Sequence, residues 1–183
     1  MRVCFLGHGK LVCDIVDELL KANHSVAGIV THPQEIHEQE SEFYLAQKKH
    51  GLYESVFDYA CNNKIDILEI ADINDSFSMQ WIQERKPDII VSISCRSIVK
   101  KDFLDVFKQK VINIHCAKLP KYRGAAGATW FILNNEKEAA VTFHYIDTGI
   151  DTGDIINQFT FPITNNALPK DILKISWDIA QNN

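Results

Sequence analysis

The first 30 residues hold the pattern that most constrains the fold. Residues 2–6 form a short apolar run that ends at Gly7, and a second apolar run spans residues 25–30. Between the two runs, apolar side chains recur at intervals of three and four: Leu11, Val12, Ile15, Val16, Leu19 and Leu20. That interval is typical of one buried helix face. A strand, a glycine turn, a helix and a second strand in this order open a parallel α/β sheet.

The rest of the chain continues the alternation of strands and helices. Strands are predicted at residues 65–70, 88–94, 111–115, 140–146 and 154–161, and helices at residues 44–60, 75–84, 101–107, 125–134 and 169–179. Asn74 is the predicted N-cap of the helix at 75–84. The expected fold is therefore α/β, with a Rossmann-like, mostly parallel twisted sheet and helices on both faces.

Length and charge narrow the class of protein. The 183 residues predict one domain with one core, residues 1–183. A formal net charge of −5 argues against an unaided nucleic-acid binder, because such proteins carry a basic surface. The apolar runs fall short of the ~18 to 20 residues that span a bilayer. The N-terminal run is also too short for a signal-peptide core, so no membrane association is expected.

Cysteine and histidine usage predicts a reducing compartment and no metal. The five cysteines are scattered and odd in number, which is unlike a disulfide framework and favours the cytoplasm: Cys4, Cys13, Cys61, Cys95 and Cys116. The Cys and His residues show no zinc spacing. His32 and His37 lie close in sequence, but their polar surroundings predict a solvated loop. The same interpretation applies to the acidic run Glu35, Glu38, Glu40 and Glu42.

The glycine turn after the first strand leaves two interpretations open. Gly7 and Gly9 can cradle a phosphate, or they can form a tight turn that packs the helix on the strand. A nicotinamide-binding turn needs a third small residue, and that position is held by Val12. The second strand ends without the acidic residue that binds ribose. Dinucleotide binding is therefore disfavoured.

Three polar residues form the most informative pattern. Asn113 and His115 are two apart on a predicted strand, so both side chains project from one face. Asp151 follows 36 residues after His115 in a Gly-Ile-Asp-Thr-Gly turn that aims one carboxylate. Cys116, beside the histidine, is a candidate nucleophile, but its side chain is expected on the opposite strand face.

These segments, in this order, resemble the folate-dependent formyltransferase family. The resemblance extends from residue 1 to about residue 161, and its several motifs agree in spacing as well as in order. The matching segments are Asn113-Ile-His115, Leu119-Pro-Lys-Tyr-Arg-Gly124, Trp130, Val141-Thr-Phe-His144 and Asp151-Thr-Gly153.

The resemblance implies formyl transfer from 10-formyltetrahydrofolate to an amine, without a metal. Asn113 would donate an N–H to the developing oxyanion, and His115 would accept the proton that the amine loses. Asp151 would hold and stabilise the protonated imidazole.

The resemblance also implies two sets of binding residues. The pterin would contact mainly the backbone of two loops, at Arg96, Ser97, Ile98, Val99, Asp147 and Thr148. The acceptor would contact Gly7, Gly9, Lys10, Tyr122 and Arg123.

Sequence differences between the branches of this family indicate the class of acceptor. Glycinamide ribonucleotide enzymes have Gly-x-Gly-Ser-Asn at the first turn, whereas this chain has Gly-His-Gly-Lys-Leu. Methionyl-tRNA enzymes add a C-terminal nucleic-acid-binding domain. The resemblance therefore implies an amino sugar linked to a nucleotide, used in polysaccharide biosynthesis, with glycinamide ribonucleotide and methionyl-tRNA as alternative acceptors. Members of the amino-sugar branch carry a small C-terminal region, so this chain is expected to be a minimal enzyme or to lack that region.

Two other classes and one assembly state stay open. A formyltetrahydrofolate hydrolase would use water in place of the amine at the same three residues. A folate- or sugar-nucleotide-binding module would bind without turnover. The small-molecule acceptor is the expected partner, and a homodimer remains an alternative to a monomer.

Overall fold

The computed structural model describes residues 1–33, 48–108 and 110–183. The chain divides into two compact units, Met1–Val111 and Ile112–Asn183. The predicted acidic loop, His37 and the start of the predicted helix at 44–60 lie outside the described residues.

The first unit is a parallel α/β sheet. Its strands lie in the order β3-β2-β1-β4, and each described pairing is parallel. The strands are β1 (Arg2–Gly7), β2 (Ser25–Thr31), β3 (Ile67–Glu69) and β4 (Ile89–Ile93). The helices are α1 (Lys10–Lys21), α2 (Val56–Asn62), α3 (Ser76–Glu84) and α4 (Lys101–Phe107).

Strand β1 is central because β2 and β4 pair with its two edges. Val3, Cys4, Phe5 and Leu6 are all buried, which explains the continuous apolar run in the sequence. The run ends at Gly7, where an added Cβ would lie 1.7 Å from the Ile93 carbonyl oxygen. The turn into α1 therefore requires glycine because β1 and β4 approach closely there.

Three local predictions in this unit are wrong. His32 is predicted to lie in a solvated loop, but it is buried, and its Nε2 accepts from the Arg96 N–H at 3.0 Å. A main-chain donor from a segment distant in sequence takes the place of water there.

The second concerns a helix cap. The N-cap of α3 is Asp75, whose carboxylate accepts from the Phe77 N–H at 2.8 Å. Asn74 is not the cap because its side chain is engaged elsewhere, donating to the Ile98 carbonyl at 3.0 Å and accepting from the Lys100 N–H at 2.7 Å.

The predicted helix at 44–60 is not continuous. Residues 50–55 are not helical, and Gly51 adopts a left-handed conformation with φ 67°. Helix α2 begins only at Val56, after Ser55, whose Oγ accepts from the Asp58 N–H at 3.2 Å. The glycine and the serine cap, both strong local signals, override the apolar pattern here.

The second unit holds three antiparallel strands and two helices. The order β5-β6-β7 places β6 in the middle. The elements are β5 (Val111–His115), α5 (Gly127–Leu133), β6 (Glu138–Tyr145), β7 (Ile155–Pro162) and α6 (Pro169–Gln181). Both helices pack on β6, whose residues Ala139, Ala140 and Val141 are buried. The fold-class prediction, a Rossmann-like α/β protein, is confirmed.

A buried threonine fixes the segment that follows β5. The Thr142 hydroxyl donates to the Ala117 carbonyl at 2.7 Å and accepts from Gln158 Nε2 at 2.8 Å. It also lies 3.4 Å from the Leu119 amide nitrogen, which donates to it. Gln158 Nε2 also donates to the Leu119 carbonyl at 3.0 Å, so the side chains of Thr142 and Gln158 tie the chain leaving His115 to β6 and β7.

Replacing Thr142 by Val should lower the free energy of unfolding by about 1 to 3 kcal/mol. Valine keeps the shape but leaves buried polar partners unsatisfied. Urea denaturation measures the change, and Thr160→Val on an exposed β7 position is the matched control. Equal midpoints for the two variants would contradict a role for the hydroxyl.

Candidate active site

One carboxylate is the centre of a polar cluster in the second unit. Asp151 Oδ2 accepts from the Gly124 N–H at 2.7 Å and lies 3.6 Å from His115 Nδ1. Its other oxygen, Oδ1, accepts from Asn113 Nδ2 at 3.3 Å and lies 3.5 Å from His144 Nε2. The structure thus brings the three predicted catalytic residues together, and adds a second histidine.

Three elements position these side chains. Asn113 and His115 lie on the same face of β5, and His144 is directly opposite Asn113 in the β5–β6 register. Asp151 lies in the turn between β6 and β7, in a left-handed conformation with φ 49°. The turn closes on β6 at Gly153, where an added Cβ would lie 1.9 Å from the Tyr145 carbonyl oxygen.

The electrostatics of the cluster favour an ionised Asp151. Burial alone would raise the pKa of this carboxyl, but three interactions outweigh burial. They are the hydrogen bond that His144 donates from Nε2 when its ring is protonated, the Gly124 N–H and the positive charge that protonated His115 and His144 carry. The pKa of Asp151 therefore lies below its ordinary value, and the carboxylate is charged at neutral pH.

The surroundings of His115 define which nitrogen can accept a proton. His115 Nε2 lies 2.9 Å from the Tyr122 carbonyl oxygen. A carbonyl only accepts hydrogen bonds, so Nε2 carries the hydrogen. In the neutral ring, Nδ1 is then the unprotonated nitrogen, and Nδ1 faces Asp151. A proton taken up at Nδ1 would lie next to a carboxylate.

The Tyr122 side chain has a structural partner. Its hydroxyl donates to Glu136 Oε1 at 2.6 Å and accepts from Asn134 Nδ2 at 3.1 Å, and its ring packs against Phe131 with centroids 4.7 Å apart. Tyr122 therefore reaches the Asp151 cluster through its main-chain carbonyl. The predicted neighbour Arg123 is exposed.

Cys116 does not have the properties of a nucleophile. Strand β5 ends at His115, so Cys116 lies just beyond it. Burial raises the pKa of the Cys116 thiol to about 12. The thiolate that would react is therefore scarce at neutral pH.

The predicted binding residues of the first unit have varied surroundings. The Lys10 ammonium is paired with the Asp14 carboxylate one helical turn along. The Arg96 N–H donates to His32 Nε2 at 3.0 Å, and Ser97 Oγ accepts from the Ile73 N–H at 3.4 Å. Val99, also predicted, is buried, and Ile98 is exposed.

The two predicted binding residues of the turn between β6 and β7 also differ in their surroundings. Asp147 Oδ1 accepts from the Gly149 N–H at 3.0 Å and from Thr152 Oγ1 at 2.5 Å, so this carboxylate shapes the turn. Thr148 is exposed. The contact of these residues with folate remains a prediction.

Residues 1–33, 48–108 and 110–183 hold neither a metal-binding cluster nor a membrane-spanning helix. They contain no group of three or more His, Cys, Asp or Glu arranged to hold a metal ion. Their helices include none long and apolar enough to cross a membrane.

His144 is the residue of this cluster that sequence reasoning did not assign to the site. It is buried, and Asn113 Nδ2 lies 3.1 Å from its Nε2. The available signal was alternation along β6, since Thr142 and His144 share a face. Only the pairing of β6 with β5 shows that this face meets Asn113.

The fold and this cluster define an α/β protein with an Asn-His-Asp site, and comparison with known proteins supplies the family. A family model described as "Formyl transferase" matches residues 1–175. The chain belongs to the formyl transferase family.

Similar curated proteins are methionyl-tRNA formyltransferases. The protein of Clostridioides difficile (strain 630) is 32% identical over 156 residues, which is 85% of this chain and 48% of that protein. The protein of Citrifermentans bemidjiense is 32% identical over 163 residues, 89% of this chain and 49% of that protein. The chain thus spans about half the length of the curated relatives it matches.

Similar solved structures come from other branches. The N-formyltransferase from Helicobacter canadensis, in complex with folinic acid and dTDP-3-aminofucose, is 28% identical with a TM-score of 0.75; the match covers 98% of this chain and 60% of that chain. Glycinamide ribonucleotide transformylase 1 from Symbiobacterium toebii has a TM-score of 0.79 at 17% identity, and the match covers 100% of this chain and 82% of that chain. The second similarity concerns the fold alone.

Proposed function

We propose that this protein transfers a formyl group from 10-formyltetrahydrofolate to an amino group. The observation that carries the proposal is the Asp151 cluster, in which a carboxylate lies within 3.6 Å of both Asn113 Nδ2 and His115 Nδ1. An N–H donor, a proton acceptor and a charge partner are the three groups that this acyl transfer needs.

The reaction is divided among these three side chains. The neutral amine attacks the formyl carbon, a C–N bond forms, and the carbonyl oxygen becomes an oxyanion. An Asn113 N–H stabilises the oxyanion. His115 Nδ1 takes the proton that the nitrogen loses, and Asp151 stabilises the imidazolium. The bond to N10 of the folate then breaks, and tetrahydrofolate leaves with that proton on N10.

The proposed acceptor is an amino sugar linked to a nucleotide. The first turn has Lys10 and Leu11 where glycinamide ribonucleotide enzymes have Ser-Asn. Similarity to the Helicobacter canadensis enzyme, whose complex contains dTDP-3-aminofucose, supports the same class. The Gly7, Gly9 and Lys10 contacts belong to this proposal.

Methionyl-tRNA is the second candidate acceptor. The observation in its favour is the 32% identity to the Clostridioides difficile methionyl-tRNA formyltransferase. The formal net charge of −5 argues against it, because RNA binding is dominated by basic surface.

An acceptor panel tests the proposal. The panel pairs 10-formyltetrahydrofolate with dTDP-linked and UDP-linked amino sugars, glycinamide ribonucleotide, methionyl-tRNA and water alone. We expect formylated amino sugar as the product. Turnover with methionyl-tRNA would show that methionyl-tRNA, and not an amino sugar, is the acceptor. Turnover with water alone would indicate a hydrolase. Folate binding without any turnover would indicate a binding module.

Folate should protect the protein against thermal unfolding, whereas NAD should not. A ligand at 100 times its Kd adds about 2.7 kcal/mol to the free energy of unfolding. Differential scanning fluorimetry with folinic acid, a stable formylated folate, measures the shift in Tm. Equal protection by NAD would support a dinucleotide site at the glycine turn and contradict the proposal.

A further inference from the structure

His144 has hydrogen bonds that fix its tautomer. Its Nδ1 lies 2.8 Å from the Tyr145 carbonyl oxygen, which can only accept, so Nδ1 carries the hydrogen. In the neutral ring, Nε2 is then a hydrogen-bond acceptor. The ring is buried, and the charged or titratable groups facing it are Asp151 and, with ring centroids 6.3 Å apart, His115.

The Asn113 carboxamide meets two acceptors at once. Its Nδ2 lies 3.1 Å from His144 Nε2 and 3.3 Å from Asp151 Oδ1. An amide NH₂ has two hydrogens, so each acceptor can take one. The reverse orientation would place the amide oxygen beside both the Asp151 carboxylate and the Nε2 lone pair. Nε2 and Asp151 Oδ1 already face each other at 3.5 Å, and the NH₂ group can donate to both, whereas an amide oxygen would add a third acceptor and more repulsion.

We propose that His144 is a positioning residue that, as a neutral Nδ1–H tautomer, holds the NH₂ end of the Asn113 carboxamide toward Asp151. The inference rests on the proposed function, because that orientation matters when Asn113 serves as the donor to an oxyanion. The His144 Nδ1–H donates to the Tyr145 carbonyl, and His144 Nε2 accepts one hydrogen of the Asn113 NH₂ group. Asp151 Oδ1 accepts the other hydrogen.

Substitutions at position 144 should change how the Asn113 carboxamide is oriented. Leucine at position 144 fills part of the space but offers no acceptor, so the carboxamide loses one of the two contacts that orient it. Glutamine can place an oxygen near the position of Nε2 and restore that contact. An effect that passes through Asn113 should also shrink when Asn113 is already replaced.

The kinetic test compares His144→Leu, His144→Gln and Asn113→Ser, alone and combined. Misplacing an oxyanion donor should cost less than the ~10²- to 10³-fold of losing it. We expect kcat to fall about 10-fold or more in His144→Leu, with KM for the folate unchanged, and to recover substantially in His144→Gln. In the Asn113→Ser background, His144→Leu should have little further effect. Unchanged kcat in His144→Leu, or an equal loss in both backgrounds, would overturn the proposal.

A spectroscopic test needs neither turnover nor a stable variant. Nitrogen-15 NMR of the histidine-labelled wild-type protein at neutral pH distinguishes the two neutral tautomers and the imidazolium. The signal of His144 is assigned from its loss in His144→Gln, or by through-bond correlation in uniformly labelled protein. We expect the Nδ1–H tautomer, and an Nε2–H tautomer or an imidazolium would overturn the proposal. Because this measurement uses no substrate, its outcome is separate from the failure of the acceptor panel.

Discussion

Replacing His115 by Asn should lower turnover about 10²- to 10⁴-fold, the usual contribution of a positioned general base. Asparagine keeps a polar side chain at the end of β5 but offers no titratable nitrogen opposite Asp151, which lies 3.6 Å from His115 Nδ1. Steady-state kinetics with the acceptor identified by the panel measure the loss.

The folate affinity should separate a chemical role from a structural one. The predicted folate contacts are mainly main-chain groups of other loops, so the Kd for folinic acid should change little in His115→Asn. The control is His50→Asn, an exposed histidine of the first unit, which should leave activity unchanged. Formyl transfer by His115→Asn at nearly the wild-type rate would exclude His115 as the base.

Asp151→Asn should lower turnover by about 10²-fold. An amide does not stabilise the imidazolium as a carboxylate does. Where an aspartate hydrogen-bonds directly to a catalytic histidine, as in serine proteases, the same exchange costs about 10⁴-fold. A smaller effect is expected here because the distance of 3.6 Å between Asp151 Oδ2 and His115 Nδ1 exceeds hydrogen-bond length. Asparagine also tolerates the left-handed backbone at φ 49°, so the variant tests the charge rather than the turn.

The same variant has a signature in the pH dependence of stability. The pKa of Asp151 is lower in the folded protein than its ordinary value, so the ionised group stabilises the fold above that ordinary value. That contribution is lost as the pH falls through the folded-state pKa. Below about pH 4, the free energy of unfolding should therefore depend less on pH in Asp151→Asn than in the wild type. Identical acid-unfolding curves, together with unchanged turnover, would contradict the role of this carboxylate.

Local side-chain patterns were sufficient for the architecture and for part of the site. The apolar run of residues 2–6 predicts a buried strand because a strand covered on both faces needs no polar alternation. The spacing of two between Asn113 and His115 places both on one strand face, which the strand geometry alone requires. Residue type then predicts the chemistry that an amide and an imidazole can perform.

Local signals failed where two nearby groups compete for one role. Both Asn74 and Asp75 are good caps, and the contacts of Asn74 with Ile98 and Lys100, distant in sequence, leave the cap to Asp75. The resemblance implies that Tyr122 contacts the acceptor, and that contact stays a prediction. What the structure adds is that its hydroxyl bonds to Glu136 and its main-chain carbonyl lies 2.9 Å from His115 Nε2.

The sequence by itself determined the elements, the face that Asn113 and His115 share and the aimed turn that carries Asp151. Only the tertiary structure decided what meets at that face. His144 is 31 residues from Asn113 in the chain and Asp151 is 38 residues from it, so their contacts depend on strand register and on closure of the turn at Gly153. The tautomers follow from the same contacts, because main-chain carbonyls of Tyr122 and Tyr145 fix one nitrogen of each ring. Side-chain periodicity is a local property of the backbone, whereas register and hydrogen-bond partners arise when distant segments pack together.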